Sequence, residues 1–395
     1  MDENLWMFSL QLLHCFGRFG DVADMQQAIT LLEGLVRSTL VWDAWCLVNL
    51  SVALGYCFEH LGELSDLEDA ISRQRAAVDL TPHGHPDKPG HLGNLSNLFI
   101  AHFKHLGEMS DLKDAISRHR AAVDLTPHGH PGTPGLLDNL SIFFITRFQC
   151  LGKLSDLEDA ISRHKAAVDL TPDGYPNKPS HLTNLGNSFR ARFQHLGELS
   201  DLEDAISRHR DAVDLTPPGH PDKPARLSNL GSSFKACFER LGELSDLEDT
   251  ISRHRAAVDL TPDGHPDKPG HLSNLGNSFF TRFQRLGELS DLEDAISRHR
   301  ATVDLTPHGH PNKPGRLSNL GNSFKARFEC LGELSDLEDA ISRHRAAVDL
   351  TPHGHPNKPA RLNNLGVSFF TRFECLGELS VELTVYYFIS YRSIQ

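Results

Sequence analysis

The stretch Leu286-Gly-Glu-Leu-Ser-Asp-Leu-Glu-Asp-Ala-Ile296 decides the fold, because close copies of it recur along the whole chain. The Leu-Gly dipeptide that opens it begins, always 45 residues apart, at Leu61, Leu106, Leu151, Leu196, Leu241, Leu286, Leu331 and Leu376. A fixed period of this length is typical of repeat proteins. The sequence therefore predicts one structural unit repeated many times, in place of several unrelated domains.

Each unit contains two amphipathic helix patterns. The first spaces its apolar residues three or four positions apart, which puts them on one stripe of a helix: Leu272, Leu275, Phe279, Phe283 and Leu286. The second begins at Ser290 and ends near Pro307, with one face formed by Leu292, Ala295, Ile296, His299 and Val303. A Ser-x-x-Glu capping box is predicted at the start of the second helix in these pairs: Ser65/Glu68, Ser155/Glu158, Ser200/Glu203, Ser245/Glu248, Ser290/Glu293 and Ser335/Glu338.

A single helix pair buries too little apolar surface to be stable alone, so the pairs are expected to stack on one another. The predicted fold class is all-α, a right-handed α-solenoid of stacked antiparallel helix pairs. Residues 1–42 are expected to form a shorter N-terminal helix pair, and residues 43–380 to form seven full repeats and one partial repeat. Residues 381–395 diverge into a β-branched and aromatic tail, which either covers the apolar end of the stack or marks a truncated product.

The pattern Leu272-x-x-Leu275-Gly-x-x-Phe279, followed by Leu-Gly, Ala-Ile and a closing proline, resembles the tetratricopeptide repeat (TPR). The connector Pro311-Asn-Lys-Pro314 is most similar to the kinesin-light-chain variety. The stretch from Leu286 to His299 is similar to arrays found in basidiomycete fungi ahead of a caspase-like CHAT domain. The 395 residues contain no CHAT domain, so the resemblance implies a TPR superhelix that binds a protein and implies no protease activity.

A row of asparagines is the candidate binding site. Each predicted first helix carries one at the same place: Asn49, Asn94, Asn139, Asn184, Asn229, Asn274, Asn319 and Asn364. Some units add a second one turn later, at Asn97, Asn187, Asn277 and Asn322. These positions lie away from the apolar stripe, so stacking should align the amides along a concave groove, where they suit the backbone of an extended peptide. The resemblance to kinesin light chains implies the same use; the alternative is that these amides bond neighbouring helices.

The residue after the phenylalanine of each first helix varies, and this variation is expected to give the units different side-chain pockets. It is Ile100, Ile145, Arg190, Lys235, Phe280, Lys325 or Phe370, of which Arg190, Lys235 and Lys325 are counted as candidate peptide-binding residues. Two positions further on lie Arg147, Arg192, Arg282, Arg327 and Arg372, which either attract an acidic partner or pair with nearby carboxylates.

The chain's 24 histidines raise a metal hypothesis, because several connectors contain a His-Gly-His motif such as His308-Gly-His310. Other units replace the first histidine by Asp173, Pro218 or Asp263, which favours a role in turn packing and predicts no metal site. A second set falls on the apolar face of the second helix and is expected to pack between repeats: His119, His164, His209, His254, His299 and His344, with Gln74 in the first full unit.

Composition restricts the remaining function classes. The net charge of −13 argues against nucleic acid as a partner. The seven cysteines form no Cys-x-x-Cys pair, the N-terminus Met1-Asp-Glu-Asn4 is acidic, and no apolar run is long enough for a membrane span, so a cytoplasmic protein is predicted. Near-identical units oppose the single asymmetric constellation that catalysis needs. We therefore expect no enzyme activity and no cofactor.

Three functions follow from these observations. The first is a scaffold that binds a protein or peptide along the groove. The second is a regulatory or sensor arm of a larger effector, of the CHAT protease or NTPase kind. The third is a His-rich element that responds to metal or pH.

Overall fold

The computed structural model describes residue 11, residues 22–38 and residues 44–377. These residues form sixteen helices and no β-strand. The helices are α1 Val22–Ser38, α2 Ala44–Leu61, α3 Leu64–Leu80, α4 Lys88–Leu106, α5 Met109–Leu125, α6 Thr133–Leu151, α7 Leu154–Leu170, α8 Lys178–Leu196, α9 Leu199–Asp214, α10 Lys223–Leu241, α11 Leu244–Leu260, α12 Lys268–Leu286, α13 Leu289–Asp304, α14 Lys313–Leu331, α15 Leu334–Asp349 and α16 Lys358–Leu376.

The described residues divide into two compact units, one up to Ser188 and one from Phe189 onward, and the boundary falls within α8. Within each unit, the first helix of a repeat packs against the second helix that follows it, and this second helix packs against the next first helix. The even-numbered helices α2 to α16 are the first helices, and the odd-numbered helices α1 to α15 are the second helices. The predicted all-α solenoid fold class is confirmed. The predicted division at residues 42 and 380 stays a prediction, because the tail and most of the N-terminal pair lie outside the described residues.

The apolar stripes meet in the core as the spacing predicts, except toward their ends, where Phe283 is half-buried and Leu286 is exposed. Leu272, Leu275 and Phe279 are at most 5% exposed, and the equivalent phenylalanines are among the largest fully buried side chains. Leu286 is 44% exposed, as are its counterparts to a similar degree. It ends α12, and the chain then turns at Gly287, whose left-handed backbone (φ 76°) suits glycine.

The predicted capping boxes are wrong. The second helix α13 begins at Leu289, one residue before Ser290, so this serine lies inside the first turn. The residue before the helix, Glu288, makes no side-chain capping hydrogen bond, and the same holds at the other predicted pairs. The reason is local: Ser290 is already part of the helix, so it does not occupy the flanking position from which a serine side chain caps, and the helix starts with the N–H of Asp291 donating to the backbone carbonyl of Glu288 (3.1 Å).

A lysine at the start of six of the eight first helices closes the end of the preceding second helix. Lys268 Nζ donates to the carbonyl oxygens of Val258 (3.0 Å) and Thr261 (2.6 Å). Equivalent pairs of bonds are made by Lys88, Lys178, Lys223, Lys313 and Lys358, which we call the connector lysines together with Lys268. A cation is favoured at this place because it faces the negative end of a helix dipole. This role of the lysines was not predicted from the sequence.

Candidate peptide-binding face

The asparagine row lies on the first helices, and its members are half-buried: Asn49, Asn94, Asn139, Asn184, Asn229, Asn274, Asn319 and Asn364. Of the second set, Asn187, Asn277 and Asn322 are half-buried and Asn97 is exposed. These amides are therefore neither in the core nor fully in solvent. What each can do depends on its hydrogen-bond partners.

Part of the row bonds neighbouring first helices to one another. Asn184 Nδ2 donates to Asp138 Oδ2 (2.8 Å), and Asn274 Nδ2 donates to Ser228 Oγ (2.9 Å). Asn319 Nδ2 donates to Asn277 Oδ1 (3.2 Å). These three amides join adjacent repeats, as the alternative interpretation predicts.

Four other amides have no such partner. Among the described residues, no side-chain hydrogen bond is made by Asn94, Asn139, Asn229 or Asn364. Each amide offers two N–H donors and a carbonyl acceptor. We call these four residues the free-amide positions. They are able to bond the main chain of a peptide without first breaking a contact inside the protein.

The variable positions beside the row are less open than the sequence suggests. Lys235 Nζ lies 3.2 Å from Glu239 Oε1, and Lys325 pairs with Glu329, each one turn along its own helix. Arg190 is half-buried, and burial lowers the pKa of its guanidinium. Phe370, in contrast, is 53% exposed. Lys235 and Lys325 therefore have their charges balanced within their own helices, and an apolar side chain is displayed at α16.

Four of the arginines two positions further on pair with aspartates of their own repeat, whereas Arg372 lies 3.4 Å from Glu338 of the preceding repeat. Arg282 Nε and Nη2 donate to the two carboxylate oxygens of Asp291 (2.9 and 2.5 Å), and the guanidinium lies 5.5 Å from the ring centre of Phe279. The same pairing joins Arg147 to Asp156, Arg192 to Asp201, and Arg327 to Asp336. Such bidentate pairs fix the guanidinium firmly. These arginines stabilise the repeat, and their charge is already matched.

The histidines of the second helices pack between repeats, and this prediction is confirmed. His299 Nε2 donates to Asn277 Oδ1 (3.1 Å) in its own repeat, and its Nδ1 lies 2.9 Å from Ser323 Oγ in the next repeat. The ring also lies against Gly276, where an added Cβ would meet His299 Cδ2 at 2.6 Å. Burial lowers the pKa of His299 to about 4, so the ring is neutral at neutral pH.

The connector histidines have a role in the turn. His310 Nδ1 accepts a hydrogen bond from the backbone N–H of Asn312 (3.1 Å), and the equivalent bond recurs at His85, His130, His220, His265 and His355. The prediction of turn packing is confirmed for this second histidine of the motif. Among the described residues, no three side chains of His, Cys, Asp and Glu are grouped to hold a metal ion. Within the same residues, no helix is both long and apolar enough to cross a membrane.

No known protein family matches the sequence, and no curated protein sequence matches it significantly. Solved structures do match the fold. One is human IFIT1, solved as a dimer with PPP-AAAA, at 14% identity and a TM-score of 0.57 over 95% of this chain and 76% of that one. Another is a signal transduction ATPase with numerous domains (STAND) from Pyrococcus horikoshii, which carries a tetratricopeptide repeat sensor. It matches at 10% identity and a TM-score of 0.57, over 94% of this chain and 52% of that one.

A kinesin light chain protein of nearly identical TPR-like repeats from Podosopora anserina also matches, at 13% identity and a TM-score of 0.41 over 55% of this chain and 97% of that one. Together with the 45-residue period and the paired helices, the fold defines the class as a helical repeat protein. Within this class the fold is of the tetratricopeptide type, as in the structures it matches.

Proposed function

We propose that this chain is a scaffold that binds an extended segment of a partner protein along its first helices. The observation that supports this function is the set of free-amide positions, Asn94, Asn139, Asn229 and Asn364, whose donors and acceptors are not used within the described residues. An extended peptide has one N–H and one C=O per residue to match them. The fold adds support, because repeat arrays present long continuous surfaces.

Under this proposal the candidate residues have two tasks. Asn184, Asn274, Asn277, Asn319 and Asn322 hold helices together and shape the face. The free-amide positions are the proposed contacts to peptide backbone. Arg190, Lys235 and Lys325 flank them, and the neutralising Glu239 and Glu329 favour a partner segment that is not strongly acidic.

A display selection of random peptides against the full chain tests the proposal. The affinity of a selected peptide is measured by fluorescence anisotropy for the wild type and for the triple variant Asn94→Ala, Asn139→Ala, Asn229→Ala. Loss of several backbone hydrogen bonds should weaken binding at least tenfold, at roughly 1 kcal/mol for each bond.

The matched control removes exposed polar groups from the second helices of the same repeats, with Ser117→Ala, Ser162→Ala and Ser252→Ala. This control should bind like the wild type. The proposal is contradicted if no peptide is selected, or if selected peptides bind the asparagine variant as tightly as the wild type.

The sensor-arm hypothesis places the same face in a larger effector. The TPR sensor of the STAND protein gives it a structural precedent for the fold alone. A peptide partner of the isolated chain supports the scaffold, whereas a partner that is retained only by a longer product supports the sensor arm.

A further inference from the structure

One connector differs from the other six in the residue that closes the preceding helix. Six of the seven connectors between α3 and α16 place a connector lysine against two carbonyl oxygens, at 2.5 to 3.0 Å. In the seventh, between α5 and α6, this position is Thr133. Leu136 stands where the other connectors have histidine or arginine. The carbonyl groups equivalent to those that hold the lysine belong to Val123 and Thr126.

A cavity lies at this place. It has a volume of about 790 Å³ and is lined by Val123, Thr126 and Thr133, and on its far side by Tyr175, Asn177 and His181. The corresponding cavity in the second unit, between residues 219–225 and 260–271, contains Lys223 and measures about 250 Å³. Thr133 Oγ1 is buried and has no hydrogen-bond partner among the residues that the structure describes. Because the Thr133 side chain is shorter than lysine, it leaves space at the position where the other six connectors place a lysine ammonium group.

The surroundings of this cavity favour a positive charge. The C-terminal end of α5 carries the partial negative charge of the helix dipole, and no basic residue lies in its last turn. Asp124 lines the cavity. Asp138 is a neighbour of the lining residue His181, with its Oδ1 3.2 Å from His181 Nδ1, but its other carboxylate oxygen already accepts a hydrogen bond from Asn184 (2.8 Å) and adds nothing to the preference for a cation.

We propose that this cavity, which we name the Thr133 cavity, binds a primary alkylammonium group. The ammonium bonds the carbonyl oxygens of Val123 and Thr126, and its alkyl stem lies along Pro134 and the aliphatic part of the wall. In the other six connectors, the equivalent carbonyl oxygens bond the primary ammonium group of a connector lysine. The three N–H donors of an ammonium group match carbonyl acceptors. The group is also compact, whereas a guanidinium is planar and holds its donors in a fixed fork.

The ammonium has two possible sources with the same chemistry: the side chain of a lysine on a partner protein, or a free aliphatic amine. The Thr133 cavity lies among the connectors, at the ends of the first helices, and is distinct from the free-amide positions. The proposed ammonium site is therefore separate from the proposed scaffold function and does not depend on that function.

Titration of the full chain with pentylamine, by calorimetry and by thermal unfolding, tests this proposal. The wild type should bind one pentylamine saturably at this cavity, with 1-pentanol at least tenfold weaker, and the unfolding midpoint should rise with amine concentration. Thr133→Lys restores the sibling contact, so it should weaken pentylamine binding at least tenfold and raise the midpoint without any amine. Thr133→Ser keeps the cavity and should bind like the wild type.

A lysine peptide then identifies the source. A short peptide that displaces pentylamine, and loses this ability when its lysine is acetylated, points to a partner's lysine; pentylamine binding without displacement points to a free amine. Lys223→Thr, which removes the ammonium group from the corresponding cavity of the second unit, should add a second amine site. The proposal is overturned if the wild type shows no saturable amine binding, or if Thr133→Lys binds pentylamine as well as the wild type.

Discussion

His299 Nδ1 lies 2.9 Å from Ser323 Oγ, and this contact joins the second helix of one repeat to the first helix of the next. The same geometry recurs between His164 and Ser188, His209 and Ser233, His254 and Ser278, and His344 and Ser368. A buried imidazole with both nitrogens near polar partners thus stands at each of these repeat junctions. Because a repeat array depends on its interfaces, these histidines should govern its stability.

Replacing His299 by leucine should destabilise the protein by about 1 to 3 kcal/mol, because Asn277 and Ser323 then lose a buried partner. His299→Gln should cost less, since Gln74 fills the same position in the first full repeat and donates to the carbonyl of His91 (3.0 Å). The midpoint of urea unfolding measures both effects. The exposed connector residue His308 provides the control His308→Gln, and an equal shift in His299→Leu and this control would contradict the interface role.

Acidification should destabilise the chain between about pH 6.5 and pH 4. Burial lowers the pKa of His119, His164, His254, His299 and His344 from 6.5 to about 4. Below pH 6.5 these histidines therefore bind protons in the unfolded chain but stay neutral in the folded chain. The stability present above pH 6.5 is lost as the pH falls toward 4. Thermal unfolding from pH 7.5 to pH 4.5 measures the slope. His299→Gln should reduce this slope, and a midpoint that stays constant over the range would refute the assignment of neutral rings.

Replacing Cys237 by arginine should stabilise the second unit by about 1 to 2 kcal/mol. The arginine equivalents of this position pair with an aspartate, as Arg282 does with Asp291, and Asp246 is the matching carboxylate beside Cys237. Burial and the neighbouring Asp246 raise the pKa of the Cys237 thiol to about 12. Chemical denaturation compares this variant with Cys330→Arg, which is exposed and should have little effect. If Cys237→Arg did not raise the free energy of unfolding, the arginine–aspartate pairs would not stabilise the repeat.

The acidic chain should not bind RNA, although human IFIT1 with the same fold was solved with PPP-AAAA. RNA binding draws its affinity from lysine and arginine side chains that neutralise phosphates and release their counterions. A chain with a net charge of −13 does not favour this step. Fluorescence anisotropy with labelled PPP-AAAA at low salt is the sensitive assay. We expect no saturation up to about 100 μM, and a salt-dependent affinity in the micromolar range would overturn this expectation.

Periodicity predicted the architecture well because it reports on burial directly. The 3- and 4-residue spacing placed Leu275 and Phe279 in the core, and the polar His299 on an apolar face indicated a satisfied junction residue. The predicted start of α13, Ser290, was wrong by one residue. The sequence pattern is the same whether a serine lies inside the first turn or just before it. Element boundaries depend on backbone bonds such as that from Asp291 to Glu288, which a side-chain pattern does not show.

The division of the asparagine row could not be predicted from the repeat pattern. Asn184 and Asn229 look equivalent in sequence, yet Asn184 bonds Asp138, a residue 46 positions earlier that other repeats replace. The connector lysines did carry a signal: from Lys88 to Lys358 a lysine recurs every 45 residues, interrupted only at Thr133. Recognising it required knowing that the side chain reaches two carbonyl groups, which only the fold brings near.

The side-chain amide resonances of the asparagines test the proposed function most directly. In an NMR titration of the full chain with a selected peptide, the account predicts large shifts for the N–H₂ groups of Asn94, Asn139, Asn229 or Asn364, and small shifts for Asn274, which remains bonded to Ser228. Shifts confined to the second helices, with these four amides unchanged at saturation, would contradict a peptide bound along the first helices.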